Sequence, residues 1–520
     1  MSTETISRRG GEACWRDKPF ITAFTLAVLT KIVVVWAFHT PLLGEYWRMV
    51  MFADAILSGE GWWHGDDIRA LAIPPTLWKP IGYPLLIAGA KLLFAGGWSL
   101  ALMVLQSLFS LAAGCTLYGL ARDMRLAPIW AAAVFLLYEW SLPVSTDVLI
   151  MADGLVGSIG TLLFVAMGKQ VLQGNAPRLS QALAWGGMLL IMFLLREIFE
   201  YALLFYLLAL IALFYRFGKR SLLICAISLA LPMVFADLSL RSWNLARAGA
   251  FTVTTGLQTA AVMGFMKVAE RNPAVLAGDG LLEQVARQGP DVSAVADRYH
   301  HCEVFIDLRR PILYDYGDAQ RINCDLFAIH GLTAPEIAGM ARAKLLRTMV
   351  DFPVDYAVTV LQRLRLVQQG TLLGGPLTRL DDLHWWQNSG NEYYQGWRAE
   401  VRDFVQSRGQ TALGPEAAMQ FALRLVTRGL GTVLLFAFLL SVPVVALGRG
   451  LADPHVRLIL AGWILYGGLL SLHLTVNFEL RYLSAVNAVP LLGSLYLLND
   501  WSRRFLGWRH ARAEESGTRR

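Results

Sequence analysis

Long apolar runs alternate with short polar breaks along most of the chain. The first run, residues 20–38, follows "SRRGGEACWRDK" and precedes "HTPLLGEYW", with no small-residue cleavage pattern between them. It reads as a retained signal anchor whose N-terminus stays in the cytoplasm. Further runs stand at 98–121, 127–143, 153–170, 198–215, 221–241, 424–447, 456–476 and 482–499. Their lengths match the roughly 17 to 25 residues that a helix needs to cross the hydrocarbon. The run at 181–196 is shorter. The pattern predicts an all-α polytopic membrane protein with about ten transmembrane helices.

Basic residues orient that count. "ARDMR", "KQVLQGNAPR", "YRFGKR", "GRGLADPHVR" and the tail "WSRRFLGWRHARAEESGTRR" share one side if each run crosses once and segment 81–95 does not. Positive loops favour the cytoplasm. Segment 81–95 is therefore expected as an interfacial or re-entrant helix, and "LLREIFEY" as an outer hairpin. Both termini then lie in the cytoplasm of a bacterium bounded by its inner membrane.

Two large segments fall outside. Residues 39–97 form a first external loop within an N-terminal membrane module, 1–241. Residues 242–423 form a polar external cap of mixed character, followed by membrane helices in 424–499 and a basic cytoplasmic tail, 500–520. Within the cap, "GAFTVTTG" has the β-branched and glycine content of a short strand or turn, and 334–369 has helical periodicity. No internal repeat or inverted symmetry of the kind found in transporters is visible.

Composition agrees with a bilayer as the main solvent: 55% of the 520 residues are hydrophobic and 16% charged. The mean hydropathy is +0.46. The net charge of +7 comes from short clusters between apolar runs, so it sets topology and does not form a nucleic-acid face. Cys115 and Cys225 lie in apolar runs and read as packing residues. Cys302 and Cys324 both lie in the cap, where an oxidising compartment would allow a bridge. "HHC" at 300–302 lacks the further ligands of a zinc site.

Charged groups near helix ends on the outer side carry the functional argument. Glu45, Asp54, Asp66, Asp67, Lys79, Asp147, Asp153, Arg196, Glu197, Glu200, Asp237, Arg241, Glu479 and Arg481 all fall there, while few ionisable residues stand near the middle of any span. A polyprenyl-phosphate sugar would place its phosphate at this interface and its sugar in the water outside. Cations such as Lys79 and Arg196 suit the phosphate; Glu45, Asp54 or Asp153 suit a base or a bound divalent ion. Trp62, Trp63, Trp78 and Tyr83 would form an aromatic belt able to stack on a sugar. Structural readings exist for each: Lys79 as a snorkelling side chain, Arg196 with Glu197 and Glu200 as a self-neutralising hairpin, Asp237 with Arg241 as an i,i+4 pair, and His473 as a packed residue.

"AILSGEGWW", "LWKPIGYPLLIAGAKLLF", "LYGLAR", "IMADGLVG", the "LLRE" helix, "RSWNLARAGAFTVTTG" and "NFELRYLSAVNAVPLL" occur in an order that resembles the GT-C glycosyltransferases of the protein O-mannosyltransferase superfamily, which includes the lipid A aminoarabinose transferases. The resemblance covers most of the membrane portion but not the cap between about 265 and 420. It implies transfer of a sugar from a polyprenyl-phosphate donor to a lipid, polysaccharide or protein acceptor, with inversion at the anomeric carbon. No cofactor is required; a divalent cation, magnesium or manganese, is optional. The resemblance gives Lys79 the donor phosphate, with Arg196 and Arg481 as further phosphate-binding residues and Trp78, Tyr83 and Tyr482 near the substrate. The family's acidic pair falls at Gly44 and Glu45, so its usual aspartate is missing. Glu45 is left as the base, with Asp153 a second acidic position and Asp54 an alternative. A transporter or lipid flippase, or a non-catalytic scaffold of the same fold, are the competing classes.

Overall fold

In a computed structural model, the described residues are 17–38, 46–59, 67–68, 74–278, 280–287, 316–370, 415–476 and 480–517. Among them the fold is helical and no strand is present. The helices are α1 Lys18–Phe38, α2 Tyr46–Ser58, α3 Pro75–Trp78, α4 Gly82–Phe94, α5 Trp98–Asp123, α6 Pro128–Trp140, α7 Leu142–Thr146, α8 Asp153–Leu172, α9 Leu179–Leu195 and α10 Phe199–Phe214. They continue as α11 Lys219–Ala248, α12 Leu257–Ala269, α13 Leu281–Arg287, α14 Tyr316–Ala328, α15 Ala334–Asp351, α16 Pro353–Gly370, α17 Pro415–Arg449, α18 Pro454–Val476 and α19 Ala488–Gly517.

Among the described residues, seven helical stretches are long and apolar enough to cross a membrane: Lys18–Trp36, Gly82–Asp123, Asp153–Leu172, Phe199–Phe217, Lys219–Ala248, Gly429–Arg449 and Pro454–Thr475. The chain is thus a polytopic helical membrane protein. α6 and α9 are shorter apolar helices. The run expected at 482–499 begins as a 3-10 segment, Leu480–Val486, and becomes α-helical only from Ala488. Segment 81–95 forms α4, separated from α5 by a 3-10 turn, Ala95–Gly97, at which Ala95 takes a positive φ of 42°.

The basic loops gather at one end of the bundle. Arg503 donates to the Arg125 carbonyl at 2.7 Å, Arg216 to the Ala452 carbonyl at 3.3 Å and Arg457 to the Leu213 carbonyl at 2.6 Å. Arg449 pairs with Asp500 at 2.8 Å. "LLREIFEY" is a hairpin as expected. The Trp185 ring, early in α9, stacks on Phe214, the last residue of α10, with centroids 5.6 Å apart. In one continuous helix those 29 positions would be roughly 40 Å apart.

Among the described residues two large hydrophobic cores form, beside a small cluster of Val34, Val144 and Val148. The larger unites the membrane helices around residues such as Tyr118, Phe135, Phe193 and Leu210. The smaller, with Val262, Phe265, Ile322, Leu326, Ile337 and Leu345, belongs to α12, α14 and α15. The described part of region 242–423 therefore has its own core, built from helices. "GAFTVTTG" is irregular backbone, the turn of the two options. Asn244 donates to the Thr252 and Val253 carbonyls at 2.7 Å and so occupies acceptors that a strand partner would need. Cys324 is buried and disulfide-bonded; Cys302 lies outside the described residues, and Cys115 and Cys225 are free.

Candidate functional site

Prolines set the position of Lys79. Pro75 opens the single turn α3, and Pro80 disfavours helical backbone at the residue before it. Lys79 accordingly is extended, with φ −131° and ψ 157°. Its ammonium donates to Glu197 Oε1 at 2.8 Å and lies 4.7 Å from the Trp78 ring centre. The "VTTG" turn closes over this pair: the Thr255 amide donates to the Leu77 carbonyl at 2.8 Å. Gly256 follows because a Cβ there would stand 2.5 Å from the Trp78 carbonyl oxygen and 2.9 Å from Glu197 Oε1.

Arg196 ends α9 in extended backbone, φ −149° and ψ 127°, with its amide on the Met192 carbonyl at 2.8 Å. Its guanidinium donates to Asp153, the first residue of α8. A carboxylate at a helix N-terminus is also favoured by the helix dipole. Arg196 is extended and Glu197 opens the turn into α10, the Glu200 amide donating to the Glu197 carbonyl at 3.0 Å; the two side chains serve different partners. Glu200 serves a third, accepting from Arg241, which also donates to Asp237 at 2.8 Å. The hydrogen-bonded partners of the hairpin's charges therefore all lie outside it, although Arg196 also acts on Glu197. Each of its charges is matched by another element.

These two ion pairs are one electrostatic unit. Glu197 feels both Lys79 and Arg196, and His473 of α18, buried, is within electrostatic range of the same two cations. Burial would push the Glu197 carboxyl up, but Lys79 and then Arg196 outweigh it and hold it below its ordinary range. The side chains of Lys79 and Arg196 are 16% and 15% exposed, against 8% for Glu197 and 2% for Asp153. In each pair the cation is the less buried partner. Among the described residues Glu197 Oε2 is buried and accepts no hydrogen bond.

Of the other expected site residues, Trp78 belongs to this unit and the rest stand apart from it or outside the described residues. Trp78 is buried beside Lys79. Tyr83 is buried too, and its hydroxyl donates to Gln106 Oε1 at 3.1 Å, so neither ring lies in an exposed aromatic belt. Asp54 pairs with Lys91 of α4 and has a 56% exposed side chain. Asp67 braces α3, accepting from the Thr76 amide at 2.9 Å and hydroxyl at 2.6 Å. Glu45, Trp62, Trp63, Asp66 and Glu479 lie outside the described residues, as do the side chains of Arg481 and Tyr482.

Of a second charged cluster the sequence singled out only Asp147. Lys31 of α1 stands 2.6 Å from Asp147 Oδ2, 3.0 Å from Glu139 Oε2 and 2.8 Å from Ser110 Oγ, and all four residues are buried. Lys31 and Glu139 are single charges inside apolar runs, and intramembrane charge is costly unless partnered. That was the available signal; the partner could not be read because α1, α5 and α6 meet only in the fold. Among the described residues no three His, Cys, Asp or Glu side chains converge as a metal site. Comparison with protein-family models, with curated proteins and with solved structures finds no match.

Proposed function

We propose that the chain is an integral-membrane glycosyltransferase of GT-C type, moving a sugar from a polyprenyl-phosphate donor to an acceptor on the periplasmic face of a bacterial inner membrane. The observation that carries this reading is the neighbouring pair of partly buried cations, Lys79 and Arg196, each paired with a more deeply buried carboxylate. A lipid phosphate needs such a seat near the end of a helical bundle, where its tail can stay in the bilayer. The reading takes about ten crossings, with the basic loops and both termini cytoplasmic. The disulfide-bonded Cys324 suits a cap on the oxidising side.

In this reading the acceptor hydroxyl attacks the anomeric carbon as its proton passes to Glu45. The bond from that carbon to the phosphate oxygen breaks, and the electron pair leaves with the polyprenyl phosphate. Lys79 and Arg196 stabilise the departing charge. Single displacement inverts the anomeric centre. Asp153 and Glu197 are positioning residues that hold the two cations.

The test is release of polyprenyl phosphate from a panel of polyprenyl-phosphate sugars, with host membrane extract supplying acceptors. Wild type should release it, and Lys79→Ala, Arg196→Ala and Glu45→Gln should each reduce the rate by about 100-fold or more while remaining folded. No release from any donor by folded wild type overturns the proposal. The Lys31, Glu139 and Asp147 cluster favours a second reading, a transporter, because ionisable groups within spans mark ion pathways. Solute or lipid flux in reconstituted vesicles that stops with Lys31→Met, without any sugar transfer, would select it.

A further inference from the structure

Helix α16 carries its apolar stripe on the outside. Tyr356, Thr359, Val360 and Arg363 are buried or partly buried, whereas Val354, Ala357, Leu361 and Leu364 are exposed. The second set follows i, i+3, i+7 and i+10, which places it along one face of the helix. Val354 and Leu361 are 74% and 61% exposed. A helix facing water puts polar residues there. Here that order is reversed.

What the stripe meets is set by where α16 is tied. Arg363 donates to the Leu474 carbonyl at 2.8 Å, and the Tyr356 hydroxyl donates to the Thr475 carbonyl. Both acceptors are in the last turn of the membrane-crossing stretch Pro454–Thr475. The inner face of α16 thus grips the end of a span, and the outer face stands at the rim of the bilayer. The preceding helix is placed alike: Arg342 of α15 is in electrostatic range of Glu200, in the first turn of α10, another span end. α15 also exposes Leu346 and Val350 on its way into α16, with Arg342 and Arg347 exposed beside them.

We infer that α15 and α16 form an interfacial anchor, with the stripe from Val354 to Leu364 set into the headgroup and acyl boundary of the leaflet opposite the basic loops. Arg342 and Arg347 lie at the level of the lipid phosphates, where their charge is matched and their stems cover apolar surface. The occupant is phospholipid. This surface is independent of the transferase reading, since it needs only the membrane.

Nitroxide accessibility tests it. The full chain, with Cys115 and Cys225 replaced by alanine and the signal of that background subtracted, is labelled at Val354→Cys or Leu361→Cys. It is reconstituted in phosphatidylethanolamine and phosphatidylglycerol vesicles. Relaxation by molecular oxygen should exceed that by a water-soluble nickel chelate at both positions, as at Leu231→Cys on the membrane-facing side of α11. Gln284→Cys, exposed on α13, should show the reverse. Preference for the chelate at 354 and 361 overturns the inference, because the stripe then faces water. Shielding from both reagents also overturns it, because protein then covers the stripe. If either label prevents folding, judged by its melting curve, Ala357→Cys replaces it on the same face.

Discussion

Glu197 shows how burial and pairing compete at one carboxyl. Burial disfavours the charged form, yet Lys79 and Arg196 together hold the group below its ordinary 4.5. The unfolded chain therefore takes up the proton first as pH falls, so the stabilisation is present above pH 4.5 and is lost as pH drops below it. Thermal melting should decline in that acid window, and Glu197→Gln should flatten the decline. The same substitution should lower stability at neutral pH by about 3 kcal/mol, because it leaves a partly buried Lys79 without its partner. An unchanged acid slope in the variant would mean that the pair does not set it. Lys79, Arg196 and Asp153 were legible in the sequence as charges near helix ends. Their pairing was not, because Lys79, Asp153 and the Arg196–Glu197 corner lie on elements far apart in the chain that meet only in the fold.

Between helices, the deciding contacts are close backbone approaches that apolar periodicity does not register. A Cβ at Gly186 of α9 would come against the Ser228 carbonyl oxygen of α11, and one at Gly160 of α8 against the Ala485 carbonyl oxygen of the 3-10 segment. Backbone cannot yield as a flexible side chain can. Gly186→Ala should therefore destabilise the protein by about 1–3 kcal/mol through overpacking. Gly187→Ala, whose Cβ would meet nothing within 4 Å, should be neutral or gain up to about 1 kcal/mol from helix propensity. Thermal melting in detergent of the two adjacent variants separates packing from propensity, and equal effects would sink the close-approach argument. The same distinction explains the helix map. Runs at 20–38, 153–170 and 221–241 were readable from length and apolarity, and the break between α4 and α5 was readable at Gly96-Gly97, whereas the 3-10 start of the run at 482–499 was not.

The molecule as a whole has two chemically different ends, and its sidedness can be measured directly. A membrane-impermeant thiol reagent applied to spheroplasts should label Gln284→Cys, whereas Lys219→Cys, beside the basic loop of α10 and α11, should react only after lysis. Equal labelling in intact spheroplasts would refute the two-ended arrangement. Membrane residence, helical class, the gathering of basic loops at one end and the identity of the two candidate cations were all determined by the chain alone, because each follows from local length, apolarity and charge. The tertiary structure decided the rest: which carboxylate pairs with Lys79 or Arg196, that Trp78 and Tyr83 are buried, that Lys31 meets Glu139 and Asp147, and that α16 turns its apolar stripe outward. These depend on contacts between elements far apart in the chain, and a side chain's burial and charge partners are properties of the elements packed around it.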